Sequence, residues 1–228
     1  MDFQLSFLMS AEVLPLLLHG AATTMRLFAS AWCVGILVAL LLVGLRILPG
    51  KPIHWITALF VEYHRNVPTV VQIMVWYFGM PEILPRSVRL WVNHGDTEFL
   101  FAMIALALNT SAFFAEDIRS GMRTVPASQV EAARAIGLSA FGTLIYVTLP
   151  QAMRIAVPPL INRSLILFKD TSLAMAIGVA EISYEAKAIE NLSFRSFEVF
   201  AATTLFYLLS SLALMWAGAW FNRRYPPA

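Results

Sequence analysis

Residues 128–150 read SQVEAARAIGLSAFGTLIYVTLP, a mixed polar and apolar segment that lies between long apolar runs. Ser128 followed three residues later by a glutamate is a capping-box pattern, in which two side chains bind free backbone N–H groups at a helix start. We therefore expect a helix that begins near Ser128 and ends near Gly137, because glycine readily adopts the left-handed conformation that terminates helices. A second short helix should follow over 140–147, and Pro150 should end it.

The apolar runs on both sides of this segment are long enough to cross a membrane, which takes about 20 mostly apolar residues. They cover residues 22–48, 56–80, 99–118, 155–182 and 197–221. Pro68 should kink the second run, and Pro158-Pro159 together with Lys169-Asp170 interrupt the fourth. A shorter apolar piece, Val13 to Leu18, contains Pro15 and should lie at the membrane interface. We expect an all-α integral membrane protein with about five transmembrane helices.

The composition favours the same fold class and excludes several functions. Hydrophobic residues make up 59% of the chain and charged residues 13%, whereas soluble domains carry roughly 25% charged residues. No Ser/Gly-rich or Pro-rich linker divides the 228 residues, so we predict one membrane domain over 1–228. The scattered basic residues form no stripe suited to nucleic acid. The lone Cys33 permits no internal disulfide, and the four histidines lack metal-ligand spacing, so no metal site is predicted.

The distribution of lysine and arginine predicts the orientation, because basic residues are retained on the cytoplasmic side. With five spans, one set of connections carries eight basic residues: Arg46, Lys51, Arg119, Arg123, Arg134, Arg154, Arg223 and Arg224. The other set carries four: Arg86, Arg89, Lys187 and Arg195. We expect a periplasmic N-terminus and a cytoplasmic C-terminus, which places the segment 128–150 in the cytoplasm.

The segment 128–150 also resembles a known motif. Glu131-Ala132-Ala133, Gly137 and Leu149-Pro150 stand at the spacing of the EAA loop of binding-protein-dependent ABC importer permeases. In that family the loop is a coupling helix that docks into a groove of the ATP-hydrolysing subunit. The resemblance therefore assigns ATPase coupling to Glu131, Ala132, Ala133 and Gly137. Small residues agree with docking, since they let another surface approach the helix backbone closely; a solvated helical connection is the alternative.

Other stretches extend the resemblance over nearly the whole chain and narrow it to polar amino acid uptake permeases. These are His19-Gly20 through Thr24, EYHRNVPTVVQ (62–72), ALNTSAFFAEDIRSGMRTVP (107–126), LPQAMRIAVPPL (149–160) and FKDTSLAMAIGVAEI (168–182). The KDTSL element is the most specific, and RNVPTVVQ with WYFGMPEILP is similar to the glutamate/aspartate type. Permeases for glutamine, histidine, arginine or cystine remain alternatives.

The resemblance implies the type I ABC importer permease fold in a bacterial inner membrane. It also implies partners: a second permease subunit, identical or similar, two ATP-binding-cassette ATPase subunits, and a periplasmic amino acid-binding protein that delivers the amino acid. ATP and Mg²⁺ would be bound by the ATPase subunits, so no cofactor is expected in this chain.

The chain itself lacks a phosphate-binding loop, which needs a Gly-rich turn that ends in Lys followed by Ser or Thr. Its three lysines are followed by Pro52, Asp170 and Ala188. We therefore predict a transport subunit and not an enzyme. A secondary transporter with a proton relay at Lys169 and Asp170 is a rival hypothesis, but it leaves the EAA segment unexplained.

Three charged residues of the fourth run are candidate substrate contacts, because an ionisable residue at bilayer depth costs at least a few kcal/mol. In a continuous helix Arg163 and Asp170 share one face about 10 Å apart, a gap that suits an amino acid. We expect the helix to loosen over Lys169–Ser172, because Thr171 and Ser172 compete for backbone hydrogen bonds. Broken helices of this kind form many transporter substrate sites.

The proposed contacts of an amino acid follow from its charges. Lys169 can pair with the α-carboxylate and Asp170 with the α-ammonium, while Thr171 and Ser172 donate or accept hydrogen bonds. Arg163 then faces the side chain and can hold a carboxylate bidentately, which predicts glutamate or aspartate as the substrate. The alternatives are an Arg163–Asp170 structural ion pair and an arginine that extends to the interface.

A second charged group lies at the predicted cytoplasmic end of the third span. Glu116 and Asp117 are expected to pair with Arg119, Arg123 or Arg65 as a gate or brace. A solvated helix end is the alternative for these residues.

Overall fold

The computed structural model describes residues 5–46, 48 and 50–224, and this part of the chain contains helices and no strand. Parts of the predicted domain 1–228 and residue 47 of the predicted span 22–48 lie outside the described residues. The α-helices are α1 Leu5–Leu8, α2 Val13–Leu45, α3 Lys51–Asn66, α4 Thr69–Met74, α5 Met80–Ile83, α6 Arg86–Asn93, α7 Thr97–Arg123, α8 Ala127–Ala135, α9 Ala140–Thr143, α10 Leu149–Asp170, α11 Ile182–Ser193 and α12 Ser196–Arg224. Two π-helical turns, Val75–Gly79 and Leu144–Thr148, and a 3₁₀ segment, Thr171–Ile177, lie between them.

Four helical stretches in the described residues are long and apolar enough to cross a membrane: Val13–Leu45, Thr97–Arg123, Ala140–Ile177 and Ser196–Arg224. The first begins nine residues before the predicted span, so residues 13–18 are continuous with this helix, and their position at the membrane interface stays a prediction. Pro15 lies in the first turn of α2, where backbone N–H groups have no partner within the helix and a proline removes nothing.

The second predicted span, 56–80, is divided into several helices. α3 ends at Asn66, and α4 begins at Thr69 after Pro68, whose extended backbone forms the break. The proline therefore disturbs the helix at the expected place, and it divides the helix in two where only a kink was predicted. A π-turn then leads into α5, where Met80 N–H donates to the Val75 carbonyl.

The fourth predicted span, 155–182, belongs to a longer helical stretch that the prolines do not end. The Leu144–Thr148 π-turn directly precedes Pro150, and the Leu149 N–H donates to the Leu144 carbonyl. The prediction that Pro150 ends a helix is therefore wrong, because the wider turn accommodates the missing N–H. Pro158 and Pro159 likewise lie inside α10 without interrupting it.

The first of the two expected short helices forms, with one difference at its start, whereas the second continues through the π-turn into α10. α8 begins at Ala127, directly after Pro126, and no side chain caps it. The predicted capping box is therefore wrong, because Ser128 lies inside the helix and not at the position before its first residue. Gly137 ends the turn with φ +93°, and the Leu138 N–H donates to the Ala133 carbonyl over 3.1 Å, which confirms the glycine stop. Ser139 caps the second helix through the Gly142 N–H at 3.1 Å.

The core is built around α7, which packs against α2 on one side and α10 on another. The backbones approach closely where α7 crosses α10. A Cβ on Gly121 would lie 2.5 Å from the carbonyl oxygen of Ala152, so glycine is required there. This crossing fixes the two helices that carry most of the candidate site.

Candidate functional site

A cavity of about 120 Å³ lies between α4, α7 and α10. It is lined by Thr69, Asn109, Thr110, Phe113, Arg163, Ile166, Leu167 and Asp170. Arg163, Leu167 and Asp170 thus share one face of α10, as helix periodicity predicts, and both charged members reach the same cavity. The α4 and α7 residues were not predicted, because nothing local in the sequence shows that these helices face α10.

The backbone changes from an α-helix to a 3₁₀ helix immediately after Asp170. The Thr171 hydroxyl donates to the Phe168 carbonyl at 2.6 Å and the Ser172 hydroxyl to the Lys169 carbonyl at 2.7 Å. These bonds are the expected competition for backbone acceptors. The turn places the Asp170 carboxylate in the cavity wall, where Oδ2 accepts from the Thr69 hydroxyl at 3.4 Å.

Three predicted substrate contacts do not line this cavity. Lys169 is exposed, Thr171 is fully buried, and Ser172 is partly buried with its hydroxyl turned to its own helix. The structure therefore brings together Arg163 and Asp170 and leaves these three on other faces of the turn.

Arg163 pairs with an aspartate on the neighbouring helix. Its Nε lies 3.4 Å from Oδ2 of Asp117, and the guanidinium carbon lies 4.2 Å from the centre of the Phe113 ring. The guanidinium carbon of Arg65 lies 5.7 Å from the same ring. Among the described residues the ion-pair partner of Arg163 is Asp117. The alternative hypothesis of a structural ion pair names Asp170 as that partner.

Glu116 forms the centre of a separate charge cluster. Arg123 lies 2.7 Å away, Arg119 3.5 Å, and Arg46 at the end of α2 3.6 Å from its carboxylate. The expected pairing with Arg119 and Arg123 is confirmed, and Arg46 joins a second helix to the cluster. Arg65 lies instead at the Phe113 ring, and the role of these residues as a gate or brace stays a prediction.

Buried amides satisfy the backbone at the Pro68 break. Nε2 of Gln72 donates to the carbonyls of His64 at 3.0 Å and Val67 at 2.8 Å. Nδ2 of Asn109 donates to the same His64 carbonyl at 2.8 Å. Oε1 of Gln72 accepts at 2.6 Å from Nδ1 of His64, which must carry the hydrogen because an amide oxygen can only accept. The network fixes α4, and with it Thr69, against α7.

A second buried polar cluster fixes the start of α11. Glu181 is fully buried, and its carboxylate accepts from the Tyr207 hydroxyl and from the Tyr184 N–H, each at 2.9 Å. The Thr24 hydroxyl accepts from the Ile182 N–H at 3.1 Å, and a Cβ on Gly20 would lie 2.8 Å from Ile182 Cα. The cluster joins α2 and α12 to the start of α11.

The candidate coupling residues lie on the polar segment away from the cavity. Glu131, Ala132 and Gly137 are exposed, whereas Ala133 is 4% exposed and faces the protein. Large apolar side chains nearby are also exposed, with Ile136 81%, Phe141 70% and Tyr146 74% accessible. In the described part of the chain, no group of three or more His, Cys, Asp or Glu side chains could hold a metal ion.

Known proteins resemble this chain over most of its length. The probable amino-acid ABC transporter permease protein PatM of Vibrio harveyi is 32% identical over 99% of both chains. The glutamate/aspartate import permease GltJ of Escherichia coli K12 is 33% identical over 86% of this chain and 81% of its own length. The glutamine transport permease GlnP of the same strain is 34% identical over 88% and 89%.

A crystal structure of an amino acid ABC transporter with histidines has the same fold. It superposes with a TM-score of 0.84 over 98% of this chain and 99% of that chain, at 28% identity. Residues 31–226 match the model of one protein family. The chain therefore belongs to the family of binding-protein-dependent transport system inner membrane components.

Proposed function

We propose that this chain is the transmembrane permease subunit of an ATP-driven importer for the acidic amino acids glutamate and aspartate. The observation that carries this proposal is the shared cavity of Arg163 and Asp170, which presents a guanidinium and a carboxylate about two helical turns apart. An acidic amino acid carries the complementary groups, a side-chain carboxylate and an α-ammonium.

The cavity offers a partner for each group of such a substrate. Arg163 can hold the side-chain carboxylate in two hydrogen bonds, and Asp170 pairs with the α-ammonium. The amide and hydroxyl groups of Asn109 and Thr110 lie in the same wall. Lys169 remains our proposed partner for the α-carboxylate at the exposed side of the turn. Thr171 and Ser172 act by shaping that turn.

The chain transports only as part of a complex. A second permease subunit, two ATPase subunits that bind ATP and Mg²⁺, and a periplasmic binding protein complete it, as in relatives of this family. We place the N-terminus in the periplasm and the C-terminus in the cytoplasm, so α8 and α9 face the ATPases. Glu131, Ala132 and Gly137 are exposed for docking, while Ala133 packs inward and supports the helix.

The paired state of Arg163 favours a second candidate function. Because Asp117 already neutralises this guanidinium, the cavity would equally accept a neutral polar amino acid such as glutamine, with Arg163 in a structural role. Relatives named for either substrate share about a third of their residues with this chain, so similarity alone does not separate the two functions.

Uptake by the complete complex in proteoliposomes separates them. With the cognate binding protein and ATP, glutamate or aspartate should stimulate ATP hydrolysis more than glutamine or histidine does. Arg163→Gln should reduce glutamate uptake at least about tenfold, the effect expected when a buried ionic contact is lost, and Arg163→Glu should abolish it. Arg224→Gln, on an exposed arginine at the end of α12, is the matched control. Undiminished glutamate uptake by Arg163→Glu would exclude the acidic substrate.

A further inference from the structure

Asp117 of α7 lies beside the cavity and contacts the Arg163 side chain. It does not line the cavity, yet its Oδ2 lies 3.4 Å from Nε of Arg163. Asp117 is four residues after Phe113, whose ring lies under the same guanidinium, so both residues share the face of α7 that meets α10. Arg163 therefore contacts a carboxylate of the protein and also lines the space that a substrate carboxylate would enter.

We propose that Asp117 is a built-in competitor of the substrate, which occupies Arg163 while the cavity is empty and is displaced when an acidic substrate binds. This inference rests on the proposed function, because it requires Arg163 to receive the substrate carboxylate. It makes Asp117 a residue that sets affinity and specificity: only a ligand whose carboxylate binds Arg163 better than Asp117 enters the site.

The Asp117–Arg163 contact has the geometry of an exchangeable pair. Oδ2 of Asp117 is buried and accepts no hydrogen bond from the described residues, although Nε is within ion-pair distance. A carboxylate held bidentately by a guanidinium forms shorter, directed hydrogen bonds and interacts more strongly. A substrate carboxylate therefore exchanges a poorly directed contact for a directed one.

Asp117 also has an alternative partner after displacement. Arg65 of α3 packs against the ring of Phe113, which lies one helical turn before Asp117 on the same face of α7. The neighbouring Glu116 does not compete for Arg65 or Arg163, because three other arginines surround it. Substrate binding would thus move the carboxylate of Asp117 from an α10 partner to an α3 partner.

The consequence reaches the coupling segment through α7. This helix carries Asp117 and ends at Arg123, and three residues separate it from the start of α8 at Ala127. If Asp117 exchanges its partner on α10 for one on α3, the change acts on α7, and α7 leads directly into the ATPase-facing segment. By thermodynamic reciprocity, closure of the ATPases would alter the substrate affinity by the same factor.

The first test measures binding of radiolabelled L-glutamate to the purified whole complex without ATP. Asp117→Asn should lower the Kd about fivefold or more, the lower end of typical coupling between sites, and should raise ATP hydrolysis in the absence of substrate. Asp117→Glu keeps the carboxylate and should retain a Kd near the wild-type value. Glu12→Gln, an exposed carboxylate before α2, should change neither quantity.

Double variants show whether the gain acts through the two arginines. In an Arg163→Gln background, Asp117→Asn should give no gain in affinity. Arg65→Gln should weaken glutamate binding about fivefold alone and not in the Asp117→Asn background, as a cycle of coupled residues requires. Equal weakening in both backgrounds would overturn the assignment of Arg65 as the second partner.

The outcomes separate this inference from the proposed function. If Asp117→Asn assembles normally on gel filtration and binds glutamate no better, the displacement proposal is overturned. The proposed function still stands in that case if Arg163→Gln loses its preference for glutamate over glutamine. If Arg163→Gln keeps the wild-type preference, the acidic substrate is wrong and the displacement proposal fails with it.

Discussion

The contact between α7 and α10 at Gly121 allows the packing of the site helices to be tested with a single methyl group. A Cβ on Gly121 would lie 2.5 Å from the Ala152 carbonyl oxygen and 3.4 Å from Ala152 Cα. Both atoms belong to the backbone of α10, so no side chain can rotate away and the helices themselves must separate.

The expected magnitude for Gly121→Ala follows from two opposing effects. Forcing an extra methyl group into a packed interface destabilises by about 1–3 kcal/mol, and alanine favours a helix over glycine by about 1 kcal/mol. The net destabilisation is therefore about 0–2 kcal/mol, which lowers the melting temperature by up to about 8 °C for a chain of this size. Loss of glutamate-stimulated ATP hydrolysis should accompany it, because α7 and α10 form the cavity.

Gly44→Ala in α2 is the matched control, since a Cβ there would meet no atom within 4 Å. It should show the helix propensity alone and raise the melting temperature of the purified complex slightly. Thermal unfolding followed by tryptophan fluorescence measures both variants. If Gly121→Ala stabilises the complex as Gly44→Ala does, the α7 and α10 backbones are not in contact at this point and the reasoning is refuted.

Two further predictions concern the buried polar clusters. Gln72→Leu leaves the Val67 carbonyl and Nδ1 of His64 without their partner, whereas the His64 carbonyl keeps its bond from Asn109. Each buried group left unpaired should destabilise the complex by about 1–3 kcal/mol. Val71→Ala, on the exposed side of the same turn, should change the melting temperature little, and equal effects of the two variants would contradict the role of the amide. Tyr207→Phe removes a hydrogen bond to the buried Glu181 and should lower both the melting temperature of the complex and its glutamate uptake. Tyr184→Phe, on an exposed side chain, is the control. Uptake at the wild-type level by Tyr207→Phe would contradict this role of Tyr207.

The charged side chains of the site could be found from the sequence, but their partners could not. Arg163 and Asp170 stand in an apolar run seven residues apart, and helix periodicity alone places them on one face. The partner of Arg163 lies on α7, some 46 positions earlier in the chain, and no local pattern records which helix faces α10. The sequence therefore predicted a guanidinium and a carboxylate in one site and missed Asp117 as the ion-pair partner.

The helix boundaries show the same division between local and tertiary information. Gly137 ends its turn as expected because its left-handed backbone is a local property. Pro150 does not end a helix, because a π-turn before it accommodates the missing N–H. Whether a proline breaks a helix or is absorbed depends on what the surrounding protein offers to the freed backbone groups, as the contrast with Pro68 shows.

The two helix breaks explain why the site lies where it does. Within a membrane every freed backbone carbonyl needs a partner, so a break persists only where buried side chains supply one, as the amides of Gln72 and Asn109 do after α3. The second break follows Asp170, and the hydroxyls of Thr171 and Ser172 donate to carbonyls in the last turn of α10. The breaks meet across the cavity, where Thr69 from one donates to Asp170 from the other. A polar cavity between spanning helices thus follows from placing two supported breaks face to face.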